Sequence, residues 1–534
     1  MSPRLRWLAG DPALCDALTP LLLDPAHAGD ALAWLREQPA HRRLARARLA
    51  SGERVFLKFF ARERSRHRLR EAWKRALGLE AARREWRALN ALHARGIAVP
   101  EPLALAELQD GGLVIVTRFV EGRTLKQTLA EQPGARRGAS LAVGDLVARL
   151  HAAGWAHGDL HHGNLLVGEE RVWLLDLQAA RGLHTRLARW RDLGELDHSL
   201  AGALSLGDRL RLRARALGCE RPFSASARRS LRAVGRASGQ RARAYARSRA
   251  RRAGRPGRRY ARLRLGERAG LRWQPIAEAS LSRALAAHEQ ALANGGPALL
   301  QGAPRARVTR VEADALKVVL KEWRDRGVLQ LCADALRGSP AARAFRAGVG
   351  LRARRIGAAV PYAFLEQRRL GLPVASWLWL EDLRPAVPAD AFAGVFDATA
   401  VADALVSLLS RLHRAGIRHG DLKASHVYLA PGAAGLAARL IDLESVRFTR
   451  RIPERARIRE LAQLNASLPD AFPDAIRCRA FERYRAALPF RSPAQLCLRR
   501  IVAASLARSH RWSGTRCEVA RELGGVRTGI RPGS

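Results

Sequence analysis

The sequence predicts an α+β protein built as two tandem bilobal domains, each with a small strand-rich lobe followed by a larger helical one. Three observations carry that expectation. The chain has 534 residues, more than one ordinary core takes and enough for two to four domains. Four short motifs recur in the same order at a near-constant offset. Finally, the first copy passes from alternating, strand-like segments to helical ones, the order of a two-lobed α+β unit.

An internal repeat sets the frame of the chain. The pattern LHxAGxxHGDL stands at 150–160 and again at 412–422, an offset of 262. The segment VFLK at Val55–Lys58 pairs with VVLK at Val318–Lys321, offset 263. Val99-Pro100 pairs with Val360-Pro361, and Leu174–Leu177 with Leu440–Leu443, at offsets of 261 and 266. The drift suits small loop insertions such as Pro431–Ala438. One shared motif is chance; four in order are a duplication. The expected domains are residues 1–265 and 266–534, with the seam near Leu265–Pro275.

Within the first copy, residues 13–37 are rich in Leu and Ala and read as helical. Residues 43–60 read as two strands joined at Ser51-Gly52, because Val55, Leu57 and Phe59 alternate with other side chains. Residues 80–95 form a helix with Ala82, Glu85, Trp86, Leu89 and Leu92 on one face. Val114-Ile115-Val116 is a short buried strand. Residues 140–153 are a helix ending near Gly154. The HGDL loop follows, then strands near 165–167 and 172–175. Beyond about 186 the copy reads as helical.

Hydrophobic residues make up 48% and charged residues 27%, a composition that folds. The formal net charge is +45, a field that favours anionic partners. The excess is nearly all arginine, in an Ala-, Arg-, Leu- and Gly-rich chain that looks shaped by codon bias. The lysines are Lys58, Lys74, Lys126, Lys317, Lys321 and Lys423. A lysine kept against such a bias marks a place where a guanidinium does not replace a compact ammonium. The six cysteines are scattered and form no CxxC, as in a cytosolic protein with reduced thiols. Arg4, Arg6 and Asp11 interrupt any apolar leader. No uncharged apolar run reaches spanning length.

Phosphoryl transfer asks for nucleotide positioning, metal-held phosphates and an oriented acceptor hydroxyl. Lys58 ends a buried strand and reaches for the phosphates. Glu85 lies on the apolar side of its helix and needs a cation, for which Lys58 is the natural partner. Asp159, in HGDL, accepts the hydroxyl proton. Asn164 follows five residues later, the spacing of a second oxygen ligand for Mg2+, and Asp176 ends the strand LLD as the other. Each residue alone is ordinary. The order K, E, HGDxxxxN, D points to a protein-kinase-like domain using ATP and Mg2+.

Residues 43–181 resemble the lipopolysaccharide kinase family, which includes the core heptose kinases and the Kdo (keto-deoxyoctulosonate) kinases. The resemblance lies in the strand pair ending in FLK, in AARREWRALNALHARGIAVPEPLA at 81–104, VTRFVEG at 116–122, HGDLHHGNLLV at 157–167 and LLDLQAARG at 174–182. RWRDLGELDHSL at 189–200 also fits. It implies an ATP-dependent kinase of a heptose or Kdo hydroxyl in the lipopolysaccharide core, cytoplasmic and peripheral at the inner membrane. By motif match, Lys58 and Glu85 bind ATP, Asp159 is catalytic, and Asn164 and Asp176 bind Mg2+. HGDLHxGN is shared with aminoglycoside kinases, which keeps a small-molecule phosphotransferase as an alternative. No GxGxxG precedes Lys58, which argues against a eukaryotic-type protein kinase.

The second copy keeps Lys321 for ATP, Asp421 as the catalytic residue and Asp442 as a metal ligand. Lys423 follows, placed for the γ-phosphate, and His426 stands where the first copy has Asn164; core heptose kinases look similar there. Phe345 and Arg346 fall where Glu85 aligns, so Lys321 is expected to lack its carboxylate. The copy is either active or a degenerate domain with a regulatory or acceptor-binding role. Residues 221–266 hold 16 arginines and no acid. They read as a surface for acidic lipid or an anionic glycolipid acceptor, or as a solvated face. Aromatic residues there are sparse, which disfavours nucleic acid. A loose tail is expected after about residue 512.

Overall fold

The computed structural model describes residues 5–23, 31–36, 42–61, 80–183, 185–219, 224–324, 327–432, 435–469 and 471–508. The chain divides into two compact units, 1–242 and 243–534.

The first unit opens with β1 (Arg6–Gly10), α1 (Pro12–Leu23), β2 (Leu32–Arg36), β3 (Arg42–Arg48) and β4 (Arg54–Phe60). Next come α2 (Ala81–His93), β5 (Pro102–Glu107) and β6 (Leu113–Arg118). The six strands make one antiparallel sheet in the order β1-β5-β6-β4-β3-β2. The period of two along β4 decides what each face carries. Val55, Leu57 and Phe59 pack with Cys15, Leu18 and Leu22 of α1 in a core closed on one side of the sheet. Lys58 faces the other way, toward α2. On that side Ala88, Leu89 and Leu92 of α2 join Leu105, Leu113 and Ile115 in a second core, continuous with the helical lobe.

That lobe contains β7 (Arg123–Thr124), α3 (Leu125–Glu131), α4 (Arg136–Ala152), β8 (Trp155–Ala156), β9 (Leu165–Val167), β10 (Val172–Leu174) and β11 (Arg181–Gly182). The helices α5 (Arg186–Leu200), α6 (Leu206–Ala216) and α7 (Ala225–Arg252) follow. The capping box of α3, in which Thr124 and Gln127 exchange side-chain and backbone bonds, fixes where the lobe starts.

The second unit repeats the plan with a larger sheet. Its strands are β12 (Tyr260–Leu265), β13 (Arg268–Trp273), β14 (Leu299–Ala303), β15 (Ala306–Ala313), β16 (Leu316–Trp323), β17 (Pro361–Arg369) and β18 (Leu372–Glu381), in the order β12-β13-β17-β18-β16-β15-β14. Its helices before the lobe boundary are α8 (Glu278–Asn294), α9 (Val328–Arg337) and α10 (Pro340–Arg352). Leu281, Ala284 and Leu285 of α8 cover one sheet face against Trp377 and Trp379. Phe345 of α10 packs on the other face against Phe364. The helical lobe holds β19 (Val387–Pro388), α11 (Ala398–Arg414), β20 (Ile417–Arg418), β21 (Val427–Gly432), β22 (Gly435–Leu440) and β23 (Arg447–Phe448). It ends with α12 (Glu454–Ser467), α13 (Asp474–Ala487) and α14 (Ala494–Leu506).

The α+β class and the bilobal plan of each unit are those expected. Three local expectations need correction. Residues 32–36 are strand, not helix, and extend the sheet edge by pairing with β3. Residues 260–265 are strand as well. The seam expected at Leu265–Pro275 falls inside the β12–β13 hairpin, and β13 pairs with β17. Those ladder bonds assign residues 260–273 to the second unit, and the division lies within α7. The tail after 512 and residues 221–223 of the arginine-rich tract lie outside the described residues. No helix among the described residues is long and apolar enough to cross a membrane.

Candidate active site

In the first unit, the inward face of β4 delivers Lys58 to two carboxylates. Its Nζ donates to both oxygens of Glu85 at 2.7 Å and to Asp176 Oδ1 at 2.8 Å. Burial pushes the Glu85 carboxyl up, and the neighbouring Lys58 charge offsets only part of that. Asp176 moves the other way: burial raises it, but Lys58 and then Arg42 outweigh burial and hold it below the usual carboxylate range. Arg42, on β3, reaches Asp176 Oδ2 and also donates to Gln178. Lys58 therefore bridges one carboxylate that resists ionisation and one that favours it.

Asp176 follows β10 with φ 59° and ψ 62°, a left-handed conformation. The strain turns the chain from the strand into a one-turn 3-10 helix at Leu177–Ala179.

The HGDL loop is held from beneath. Asp192 of α5 accepts from the backbone N–H groups of His157 and Gly158, at 2.8 and 2.9 Å, and from His151 Nε2 at 3.2 Å. Burial raises its pKa, but the bonds from His151 and His157 prevail and leave it low. His157, fully buried, donates from Nε2 to the Leu175 carbonyl at 2.9 Å. That bond ties the loop to the strand end carrying Asp176. Gly158 has φ 78°, and a Cβ there would stand 2.3 Å from the Ala179 carbonyl oxygen, so the close passage of the two segments requires glycine. Asp159 remains partly exposed, with its side chain 40% accessible. Asn164 donates Nδ2 to the Asp159 carbonyl at 3.0 Å, which leaves its amide oxygen for a cation. The structure thus brings Lys58, Glu85 and Asp176 into one ion cluster and ties Asp159 and Asn164 to a common loop.

The second unit has a parallel loop with different partners. Glu460 of α12 stands where α5 carries Asp192, accepting from Gly420 N–H at 2.8 Å and pairing with His413 Nε2 at 2.9 Å. His419 donates to the Ile441 carbonyl at 3.0 Å. Asp442 repeats the left-handed turn with φ 57° and ψ 60°. Lys321 contacts Asp442, as Lys58 contacts Asp176. Its second carboxylate is Glu444, two residues further on, at 3.0 Å. The expectation that Lys321 lacks such a partner is corrected: the carboxylate has moved from helix to turn. Arg346 bonds instead to the Ala342 and Arg337 carbonyls. Gly348 of α10 lies so near the turn that a Cβ there would be 3.3 Å from Leu443. Burial lowers Lys321, but Glu444 and Asp442 more than reverse it, and its pKa is raised. Asp442 is held low chiefly by Lys321 against burial, while burial pushes Glu444 up.

Lys423 Nζ lies 3.0 Å from Asp421 Oδ2. His426 donates from Nδ1 to the Asp421 carbonyl at 2.8 Å, and its Nε2 lies 3.7 Å from Asp442 Oδ2. Asp421, His426 and Asp442 each offer a ligand atom within 4.8 Å of the others. Both sites therefore have donor sets that fit a divalent cation, oxygen-only in the first unit and mixed in the second.

Sequence reasoning missed Asp192, Glu460, Arg42 and Glu444. Asp192 and Glu460 had a signal, since they lie 268 residues apart and continue the drift of the repeat.

A strand lysine locked to two carboxylates, an HGD loop anchored from below and an aspartate closing the next strand define a protein-kinase-like fold in each unit. The chain belongs to the lipopolysaccharide kinase (Kdo/WaaP) family, whose sequence profile matches residues 28–214 and 303–482. Among curated relatives, the 3-deoxy-D-manno-octulosonic acid kinase of Xanthomonas axonopodis pv. citri is 36% identical over 127 residues, 23% of this chain and 50% of that protein. The KEOPS complex subunit Bud32 of Pyrococcus abyssi is 31% identical over 118 residues, 22% of this chain and 52% of that one. The chain spans about half the length of these curated relatives. The solved structure of WaaP in complex with acyl carrier protein is 20% identical, covering 40% of this chain and 87% of that one, with a TM-score of 0.29.

Proposed function

We propose that the protein transfers phosphate from ATP to a sugar hydroxyl of the lipopolysaccharide core, a heptose or Kdo, at the cytoplasmic face of the inner membrane. The observation that supports this best is the Lys58–Glu85–Asp176 cluster together with the anchored Asp159 loop. Lys58, oriented by Glu85, meets the nucleotide phosphates. Asp159 accepts the proton as the acceptor oxygen forms its bond to the γ-phosphorus and the bond to the ADP oxygen breaks. Asn164 and Asp176 would hold Mg2+, which supplies charge neutralisation for the phosphates when bound. The second unit is read as a further nucleotide site, with Lys321 and Lys423 for phosphate, Asp421 as base, and His426 and Asp442 toward the metal.

The membrane part of the proposal rests on α7. Arg228, Arg229, Arg232 and Arg236 are exposed along it, and none pairs with a carboxylate among the described residues. Ala227, Ala233 and Val234 are buried. A helix fixed by one face and lined with unpaired guanidinium groups on the other suits an anionic lipid surface.

The test is phosphate transfer from ATP to dephosphorylated lipopolysaccharide core by the wild type, Asp159→Ala and Asp421→Ala. Incorporation abolished by Asp159→Ala is the expected result. Incorporation that survives both substitutions would sink the assignment of the two aspartates.

A further inference from the structure

The residue five positions after each loop aspartate is held the same way in both units. In the first, Asn164 donates Nδ2 to the Asp159 carbonyl at 3.0 Å. In the second, His426 donates Nδ1 to the Asp421 carbonyl at 2.8 Å. The bond fixes which atom remains for a ligand. For Asn164 it is an amide oxygen. For His426 it is Nε2, whose lone pair is free because the proton sits on Nδ1. A backbone carbonyl on the far imidazole nitrogen is the usual outer support of a metal-binding histidine. The ring is well buried, with its side chain 16% exposed.

The two donor sets differ in chemical type. Mg2+ is hard, binds oxygen and sheds water reluctantly. Imidazole nitrogen suits first-row transition dications, whose affinity for such sites rises along the series. Asp421, His426 and Asp442 present two carboxylates and one imidazole. Glu444, which accepts from Lys321 at 3.0 Å and hydrogen-bonds Asp442, lies beside this set.

We propose that His426 Nε2 is a metal ligand and makes the second unit select a first-row transition dication over Mg2+, whereas the oxygen-only set of Asn164 and Asp176 suits Mg2+. Mn2+ is the fitting member of that class, since it also accepts carboxylate and phosphate oxygens. The two units would then differ in metal requirement within one chain. The inference rests on reading the second unit as a nucleotide site.

The experiment uses the full chain carrying Asp176→Asn, which removes the first unit's charged ligand. Mn2+ and Mg2+ affinities are measured with a non-hydrolysable ATP analogue, and bound Mn2+ is examined by pulsed EPR. The expected result is a 14N hyperfine coupling from an imidazole, replaced by a 15N coupling on [15N]histidine labelling. The further substitution His426→Asn installs the first unit's residue and its carbonyl bond. It should abolish the coupling and lower the Mn2+ over Mg2+ preference about tenfold. Bound Mn2+ without nitrogen coupling, or an unchanged preference in His426→Asn, overturns the proposal. Failure to bind the analogue at all would instead sink the nucleotide reading. Mn2+ added alone would still decide the ligand question, by the presence or absence of the coupling.

Discussion

Glu444 meets Lys321 at 3.0 Å from the turn that follows Asp442, while Glu85 meets Lys58 at 2.7 Å from a helix. The two units meet the same requirement, a carboxylate on a buried strand lysine, from different places in the chain. Glu444→Gln should weaken nucleotide binding by the second unit about tenfold, a loss of about 1.4 kcal/mol. Titration of the full chain carrying Asp176→Asn reads that unit. Unchanged affinity would show that Glu444 does not orient Lys321.

Lys58→Ala strands Glu85, which is 4% exposed. Removing one partner of a buried ion pair costs about 3–5 kcal/mol, so denaturant midpoints should fall accordingly at neutral pH. Lys58→Met combined with Glu85→Leu should recover much of the stability and none of the phosphate transfer. A single substitution as stable as the wild type would contradict the ion-cluster account.

Glu195 of α5 pairs with Arg241 of α7 and hydrogen-bonds Asp159. Burial, with Asp159 and Asp192 adding to it, pushes its carboxyl up to about 7. An unfolded glutamate titrates near about 4.3. A raised folded value means that the protonated form favours the fold. The contribution is complete below about pH 4.3 and is lost as pH rises through about 7. Glu195→Gln should therefore flatten the decline in stability between about pH 4 and 7, the window between the unfolded and folded values. Parallel pH profiles for the variant and the wild type would refute the assignment.

Replacing Arg228, Arg232 and Arg236 together by Ala should weaken binding to vesicles of anionic lipid about a hundredfold, at about 1 kcal/mol for each cation near such a surface. The difference should shrink as salt rises. Equal retention of the variant and the wild type on vesicles at low salt would remove the ridge as a docking surface.

Much of the first site was legible because its residues keep motif spacing within single elements. Lys58 sits on an alternating strand, Glu85 on a helix with one apolar face, and Asp159 and Asn164 in one loop. What escaped did so for physical reasons. Glu444 was invisible because the carboxylate moved to another element, and aligning α10 with α2 does not look there. The strand β2, LAWLR, is as compatible with a helix as with a strand, and pairing with β3 decides it. The hairpin β12–β13 was hidden by arginine: Arg262 and Arg264 sit within β12, and the charge pattern masks the alternation that buries Leu263 and Leu271.

The left-handed turns at Asp176 and Asp442 also allow drift to be read in this chain. A non-glycine residue in that conformation costs about 1 kcal/mol or more, a burden that glycine would relieve at once. A unit released from chemistry would lose no activity by that exchange and would shed the strain. The second unit lacks the helix glutamate and has histidine where the first has asparagine, yet at φ 57° it carries an aspartate.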